Sequence, residues 1–369
     1  MFINGRLLTS TWRLVFIVLI QYLLIHTTVT ADTCPVPQDK LVISGSDTMR
    51  PLVQAWADAF KQGSPIKIKI VSRGSGIAIP KLIRCKTDIG AMSRAPNAEE
   101  IAKFKKRFGY APTIVEVAID AIGIYVHIDN PIVYTTIPKI DATYSSTRKC
   151  GLIFNLNKWQ DLNEQSHSLE PIILFGRDQY SGSREFFRQI ALCEGDYKPN
   201  IKEFKDSAAL VAEIAKNRFA IGYAGMAYMT DQLKTKVKML KIATQNGEAF
   251  VAPTPENARN KSYALSRPLY LVLNQAPGTK LTGAVKTFME FVQSTEGCRI
   301  AQKVGYVSAS KCQLPQCKDL PVYIETMRKL TLQLLSALNA QDMALIRISI
   351  QELKTVFEAI DDNSCVLND

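Results

Sequence analysis

The chain has 369 residues, of which 47% are hydrophobic and 21% are charged, and its formal net charge is +11 at pH 7. This composition excludes a wholly disordered or collagen-like chain, and the length is sufficient for two domains. Only three histidines are present, which argues against catalysis or zinc binding built on several histidines.

The N-terminal segment has the three regions of a secretory signal peptide. Arg6 and Arg13 make its start basic, residues 14–25 are almost entirely apolar, and small residues lead to a cleavage site after Ala31. An apolar stretch of this length suits a signal peptide, because a membrane-spanning helix needs about 20 apolar residues. We therefore predict that residues 1–31 are removed and that the mature protein is periplasmic or secreted. An uncleaved anchor is the alternative.

All eight cysteines lie after that segment. An even number of cysteines in an exported chain indicates disulfide bonds, because compartments outside the cytosol are oxidising. None of them shows paired Cys-x-x-Cys spacing, so a zinc cluster is not favoured. The positions are Cys34, Cys85, Cys150, Cys193, Cys298, Cys312, Cys317 and Cys365.

Strand-like and helix-like segments alternate along most of the chain. Short apolar or alternating runs predict strands at residues 41–43, 66–70, 87–91, 172–175, 219–228 and 269–274. Helical patterns begin near Arg50 and recur at residues 77–84 and 184–193. The apolar run at residues 115–128 is long enough to pass from one lobe of a fold to another. This order predicts an α/β architecture with mostly parallel strand pairing.

The C-terminal residues, 318–369, follow a different pattern. Apolar residues recur at helical spacing over residues 320–338 and 342–360, on either side of a polar break. They predict an α-helical hairpin appended to the main fold. We interpret this hairpin as a stabilising cap, with a partner-docking module as the alternative.

Two cysteines, Cys317 and Cys365, bracket the hairpin. Antiparallel helices of equal length bring their outer ends together, within the Cα separation of about 7 Å that a disulfide bond needs. We therefore predict a disulfide bond between these two residues. The competing arrangement joins Cys312 to Cys317 and leaves Cys365 for a distant partner such as Cys298.

Three loops rich in serine, threonine and glycine each connect a predicted strand to a predicted helix. They are Ser44-Gly45-Ser46-Asp47-Thr48-Met49, Ser72-Arg73-Gly74-Ser75-Gly76 and Gly176-Arg177-Asp178-Gln179-Tyr180-Ser181-Gly182-Ser183-Arg184. The first N–H groups of a helix have no partner within the helix and lie at the positive end of its dipole. With hydroxyl donors beside them, and Arg177 able to add a charged contact, these loops predict a site for a small tetrahedral oxyanion.

Several of these segments resemble the periplasmic phosphate-binding proteins of bacterial ABC transporters. Gly45-Ser46-Asp47-Thr48-Met49 is similar to the first phosphate loop of that family, and Arg177 with Ser181-Gly182-Ser183 matches its Arg-x-x-x-Ser-Gly-(Thr/Ser) loop. The segment Asp88-Ile89-Gly90-Ala91-Met92-Ser93-Arg94 also fits the family pattern. The resemblance extends from about Leu41 to Val307 and leaves out the C-terminal hairpin.

The resemblance implies a two-lobed periplasmic-binding-protein fold of type II, in which two crossing segments form the hinge. Lobe one would comprise residues 32–124 and 246–317, and lobe two residues 125–245. The implied ligand is inorganic phosphate, and the implied partners are the membrane permease subunits of an ABC importer. We expect a monomer with no cofactor, no metal, no catalytic residues and no nucleic-acid partner.

The resemblance also implies which residues bind phosphate. They are Ser46, Asp47, Thr48, Met49, Ser75, Ser93, Arg177, Ser181, Gly182 and Ser183. At one position the chain departs from the family pattern: well-known members have an aspartate, which accepts the proton of hydrogen phosphate, where this chain has Ser93. A carboxylate only accepts hydrogen bonds and so rejects fully ionised sulfate. We therefore expect weaker discrimination against sulfate, unless Asp47, Asp120 or Asp178 supplies the acceptor.

Two other classes of function are alternatives. A phosphatase-like enzyme would use Ser46, Ser75 or Ser181 as its nucleophile, but the chain has no Gly-x-Ser-x-Gly elbow and no histidine in these loops. A secreted adhesion or interaction protein that retains the fold is the second alternative, and the appended hairpin is its main support.

Overall fold

The structure is a computed structural model, and it describes residues 34–162, 168–309 and 320–362. The predicted signal peptide, residues 1–31, lies outside these ranges, so its removal stays a prediction. None of the described helices is both long enough and apolar enough to cross a membrane.

Strands and helices alternate along the described chain, as the sequence predicts. The strands are β1 (Lys40–Gly45), β2 (Lys67–Ser72), β3 (Ile89–Met92), β4 (Thr113–His127), β5 (Tyr134–Thr136), β6 (Ile173–Arg177), β7 (Lys202–Phe204), β8 (Ala220–Gly225), β9 (Val237–Met239), β10 (Lys241–Ala243), β11 (Ser266–Leu273) and β12 (Val307–Ser308). The helices are α1 (Arg50–Gly63), α2 (Ala78–Ile83), α3 (Ala98–Phe108), α4 (Ile137–Tyr144), α5 (Trp159–Leu162), α6 (Gly182–Ala191), α7 (Ser207–Ile214), α8 (Pro255–Arg259), α9 (Gly283–Val292), α10 (Thr295–Lys303), α11 (Leu320–Asn339) and α12 (Met343–Asp362).

One sheet connects most of the strands, in the order β2-β1-β3-β11-β4-β8-β6-β7, with β9 and β12 also paired to β4. On one side of it, β1 pairs in parallel with both β2 and β3. On the other side, β6 pairs in parallel with β7 and β8. Parallel strands end at the same edge of a sheet, so the loops that follow each of these groups of strands lie close together.

The expectation of mostly parallel pairing is wrong. Among the strands that the structure describes, half of the pairings are antiparallel, and each antiparallel pairing involves β4 or β11. The physical reason is the path of the chain: β4 carries it from one half of the sheet to the other, and β11 returns beside β4 in the opposite direction.

Two main hydrophobic cores lie along this sheet. The first contains Trp56 of α1 and Phe288 of α9, and the second contains Trp159 and Phe187. Strand β4 contributes residues to both, so the fold is a two-lobed α/β fold in which β4 passes between the lobes. The apolar face predicted for α1 is confirmed, because its buried residues include Leu52, Val53, Trp56 and Phe60.

The predicted C-terminal hairpin is present as α11 and α12, joined by residues 340–342. Leu330 and Ala337 of α11 are buried, whereas Leu335 and Leu338 are about half exposed. Among the described residues, the extensive contacts of both helices are with each other. The interpretation of the hairpin as a stabilising cap therefore stays a prediction, as does the alternative of a partner-docking module.

Two disulfide bonds join described cysteines. Cys34 is bonded to Cys85 and Cys150 to Cys193, each with a Cα–Cα distance of 5.4 Å. The first attaches the start of the described chain to the residues after α2, and the second attaches the loop after α4 to the residues after α6. They confirm the expectation that the cysteines form disulfide bonds.

The predicted bond between Cys317 and Cys365 lies outside the described residues and stays a prediction. It would close a loop of about 50 residues, which stabilises a fold by roughly 4 kcal/mol in the chain-entropy model. Peptide mapping of the unreduced mature protein should recover one peptide pair that contains both residues. A free Cys365, or Cys365 joined to any other cysteine, would contradict the prediction.

Candidate functional site

The three loops predicted from the sequence meet at one place in the structure. The hydroxyl oxygens of Thr48, after β1, and Ser183, in the first turn of α6, are 2.8 Å apart. Ser75 Oγ lies 3.2 Å from Ser93 Oγ and accepts a hydrogen bond from the Ser93 amide at 2.9 Å. All four side chains are buried. We refer to Thr48, Ser75, Ser93 and Ser183 as the hydroxyl cluster.

Gly182 brings the start of α6 against this cluster. A Cβ atom at this position would lie 2.2 Å from Ser75 Oγ and 2.6 Å from Ser93 Oγ. Only a glycine permits such an approach, and as the first residue of α6 its N–H has no partner within the helix. Ser181 caps the same helix by accepting a hydrogen bond from the Arg184 amide at 3.3 Å.

The second and third loops also contact each other through their backbones. The Gly76 amide donates a hydrogen bond to the Tyr180 carbonyl oxygen at 3.1 Å. Gly74 has a φ of +148°, and a Cβ atom there would lie 2.1 Å from the same oxygen. The Arg73 guanidinium lies over the Tyr180 ring, 5.4 Å from its centroid. These contacts close the two lobes against each other beside the hydroxyl cluster.

Two predicted site residues, Asp47 and Arg177, form a buried ion pair that joins the first loop to the end of β6. Arg177 Nη1 lies 3.1 Å from Asp47 Oδ2, and both side chains are almost fully buried. Arg177 also donates to the carbonyl oxygens of Phe204 at 3.3 Å and Lys205 at 2.9 Å, and to the Ser207 hydroxyl. Each nitrogen of this guanidinium therefore has an acceptor within the protein.

Two buried tyrosines hold the first loop from behind. Tyr228 donates to the Asp47 carbonyl oxygen at 2.7 Å, and Tyr306 donates to the Thr48 carbonyl oxygen at 2.6 Å. Burial raises the pKa of both phenols well above the usual value, and the nearby carboxylates add to the rise. Both hydroxyls therefore stay protonated and keep donating to the loop at any physiological pH.

Sequence reasoning missed a second buried ion pair at the site. Arg267 of β11 lies directly opposite Asp120 of β4, and neither side chain is exposed. Arg267 donates to Asp120 Oδ2 from Nη2 at 2.9 Å and from Nε at 3.2 Å. Its Nη2 also lies 2.9 Å from Ser183 Oγ and 3.2 Å from Thr48 Oγ1. The signal in the sequence was an acidic residue in the buried part of β4 and an arginine in β11, two strands that are mostly apolar.

The other predicted residues have distinct surroundings. The Met49 side chain is buried in the first core, so only its backbone remains for a ligand. Ser46 Oγ is buried and has no hydrogen-bond partner among the described residues. Asp178, the third carboxylate considered as an acceptor for phosphate, accepts a hydrogen bond from the Tyr180 amide at 3.1 Å.

The arrangement presents hydrogen-bond donors with little net charge. The two arginines are each paired with a carboxylate, so these four side chains together carry no net charge when all are ionised. Burial raises the pKa of the Asp120 carboxyl, and the Arg267 guanidinium opposes that rise. No group of acidic, histidine or cysteine side chains suited to a metal ion occurs among the described residues. Hydroxyls and helix N-termini are the groups that hold small oxyanions in proteins.

A two-lobed α/β fold with such donors between its lobes defines the class of solute-binding proteins. The sequence model of the PBP superfamily domain matches residues 29–296. The chain therefore belongs to the PBP superfamily.

Within this superfamily, the chain is similar to proteins that are named for phosphate binding. The chain is 38% identical over 265 residues to the phosphate-binding protein PstS of Pseudomonas aeruginosa, covering 71% of this chain and 81% of that protein. It is 29% identical over 289 residues to the PstS of Staphylococcus aureus, covering 77% and 83% of the two chains. A solved phosphate ABC transporter substrate-binding protein from Clostridium perfringens, with bound phosphate, is similar with a TM-score of 0.59 and 29% identity. That similarity covers 73% of this chain and all of the other.

Proposed function

We propose that this protein is an exported receptor that captures inorganic phosphate between its two lobes and delivers it to the permease subunits of an ABC importer. The observation that carries the proposal is the convergence of three strand-to-helix loops on one buried hydroxyl cluster, with Gly182, the first residue of α6, directly against it. The names of the relatives from Pseudomonas aeruginosa and Staphylococcus aureus support the same ligand.

In this proposal, phosphate oxygens accept hydrogen bonds from the four hydroxyls of the cluster and from the amides at the starts of α1 and α6. These donors come from both lobes, so the ligand stabilises the closed arrangement of the two. The lobe boundaries that we propose are those expected from the sequence, with residues 125–245 as the second lobe. Cleavage near Ala31 would release the mature protein into the periplasm or the medium.

The proposal predicts binding without turnover. Titration calorimetry of the mature protein, after bound phosphate has been removed, should show one phosphate per chain and no release of phosphate from an added phosphate ester. In a parallel titration, the affinity for sulfate should be closer to the affinity for phosphate than it is in relatives that have an aspartate at the position of Ser93. The reason is that Asp47 is already paired with Arg177 and Asp178 accepts from a backbone amide, so Asp120 Oδ1, which has no hydrogen-bond partner among the described residues, is the acceptor left to replace that aspartate.

Absence of both a heat signal and a thermal shift with phosphate would contradict the receptor proposal. Hydrolysis of an ester that a single serine substitution abolishes would favour the phosphatase alternative. A strong preference for phosphate that persists after all three carboxylates are replaced by amides would contradict the expectation about sulfate only.

A further inference from the structure

We propose that Arg267 is the cation that donates directly to the captured oxyanion, and that Asp120 is the residue that positions it. This inference rests on the proposed function and changes the roles of the arginines within it. Arg177, which the sequence singles out, then serves to hold Asp47 and the first loop.

The first argument is the orientation of the Arg267 side chain. Its Nε and Nη2 both donate to one oxygen of Asp120, the residue directly opposite on the neighbouring strand. Because a guanidinium is a rigid planar fork with five N–H donors, two contacts of this kind determine where the remaining donors point. Both side chains are fully buried, so the surrounding atoms also restrict any other orientation.

The second argument is an account of the donors. Arg267 Nη1 is buried and has no hydrogen-bond partner among the described residues. A buried donor on a charged group is costly to leave unpaired, and more than about 90% of buried polar groups in native structures have a partner. Arg177 differs in this respect, because its Nε, Nη1 and Nη2 all have protein acceptors. An oxyanion in the site would supply the acceptor that Arg267 Nη1 lacks.

The third argument is location. Arg267 Nη2 contacts the hydroxyls of Thr48 and Ser183, which come from the first and third loops. The guanidinium therefore lies where two of the three loops meet. Apart from Asp47, the partners of Arg177 are at residues 204–207, outside the hydroxyl cluster. A ligand held by the cluster is thus adjacent to Arg267.

The test compares substitutions at Arg267 with a matched surface control. Arg267→Gln should weaken phosphate binding by roughly 30-fold or more, because a hydrogen bond to a charged group is lost. Arg267→Lys should also weaken it, by about tenfold, because a single ammonium cannot hold Asp120 and the anion in the same geometry. Arg188→Gln, which removes an arginine from the solvent-facing side of α6, should bind within about twofold of the unsubstituted protein.

The role of Asp120 has a readout of its own. Asp120→Asn removes a negative charge beside the site, which by charge alone should strengthen anion binding. A positioning role predicts the opposite, because Asn cannot hold the guanidinium through a charged pair of hydrogen bonds. We expect phosphate binding to weaken by about fivefold or more; tighter binding would overturn the positioning role.

A structure of the unsubstituted protein with phosphate tests the central contact without any variant. A phosphate oxygen within about 3.2 Å of Arg267 Nη1 is the expected result. The inference is overturned if no phosphate oxygen contacts this guanidinium, or if folded Arg267→Gln protein binds phosphate as tightly as the unsubstituted protein. In either case phosphate binding itself is observed, so the proposed function stands; failure of the unsubstituted protein to bind phosphate would overturn both.

Discussion

Arg177→Ala is expected to lower both the thermal stability of the protein and its affinity for phosphate. The substitution leaves the Asp47 carboxylate buried without its cationic partner. Removing one member of a buried ion pair typically costs about 3–5 kcal/mol. In a chain with lobes of this size, the loss should lower the midpoint of thermal unfolding by on the order of 10 °C, measured by calorimetry without phosphate. The affinity for phosphate should fall as well, because the unpaired Asp47 lies in the first loop, next to Thr48 of the hydroxyl cluster.

A second substitution shows how much of the destabilisation comes from leaving Asp47 unpaired, rather than from the loss of the other contacts of Arg177. The double variant Arg177→Ala with Asp47→Asn should unfold at a higher temperature than Arg177→Ala alone, because it no longer buries an unpaired charge. Arg177→Lys should remain destabilised, because a single ammonium replaces a fork that has four acceptors in the protein. Arg188→Ala, on the outside of α6, is the matched control. If the stability and the phosphate affinity of Arg177→Ala were both within error of those of the unsubstituted protein, Arg177 would have neither role.

Gly182→Ala is expected to weaken phosphate binding strongly while the separate lobes remain folded. The added methyl group would lie 2.2 Å from Ser75 Oγ and 2.9 Å from Ser75 Cβ, so either the serine or the start of α6 must move. Overpacking of this kind costs about 1–3 kcal/mol, which corresponds to a loss of affinity of roughly five- to 150-fold. Titration calorimetry measures the affinity, and circular dichroism shows whether the secondary structure is retained.

Gly63→Ala is the matched control for that substitution. Gly63 ends α1, and a Cβ atom there would meet no other atom within 4 Å. It should leave phosphate affinity unchanged. Unchanged affinity in Gly182→Ala as well would mean that the close approach of α6 to the hydroxyl cluster is not needed for binding.

Much of the local structure follows from short segments of sequence. The apolar spacing of Leu52, Val53, Trp56 and Phe60 predicted which face of α1 is buried, and those four residues are buried. The serine- and glycine-rich loops were predicted between strands and helices, and they lie there. Such features can be predicted because periodicity and helix starts depend on residues within a few positions of each other.

The pairing of distant residues could not be predicted in the same way. Asp120 and Arg267 are separated by 147 positions in the chain. Strand β4 contains two acidic residues, Glu116 and Asp120, and only the antiparallel register of β4 and β11 shows that Asp120 is the one opposite Arg267. The same register accounts for the wrong expectation of mostly parallel pairing, because the sequence pattern of a strand does not reveal the direction of its neighbour.

By itself, the sequence determined the α/β class of the fold, the three loops that supply hydroxyls and helix N-termini, and the C-terminal hairpin. Only the tertiary structure decided how the charges are used. Every guanidinium nitrogen of Arg177 donates to Asp47 or to acceptors at residues 204–207, whereas Arg267 lies beside the hydroxyls, and its Nη1 has no partner among the described residues. The physical reason is that loop chemistry is local, whereas hydrogen-bond satisfaction of a buried charge depends on every element packed around it.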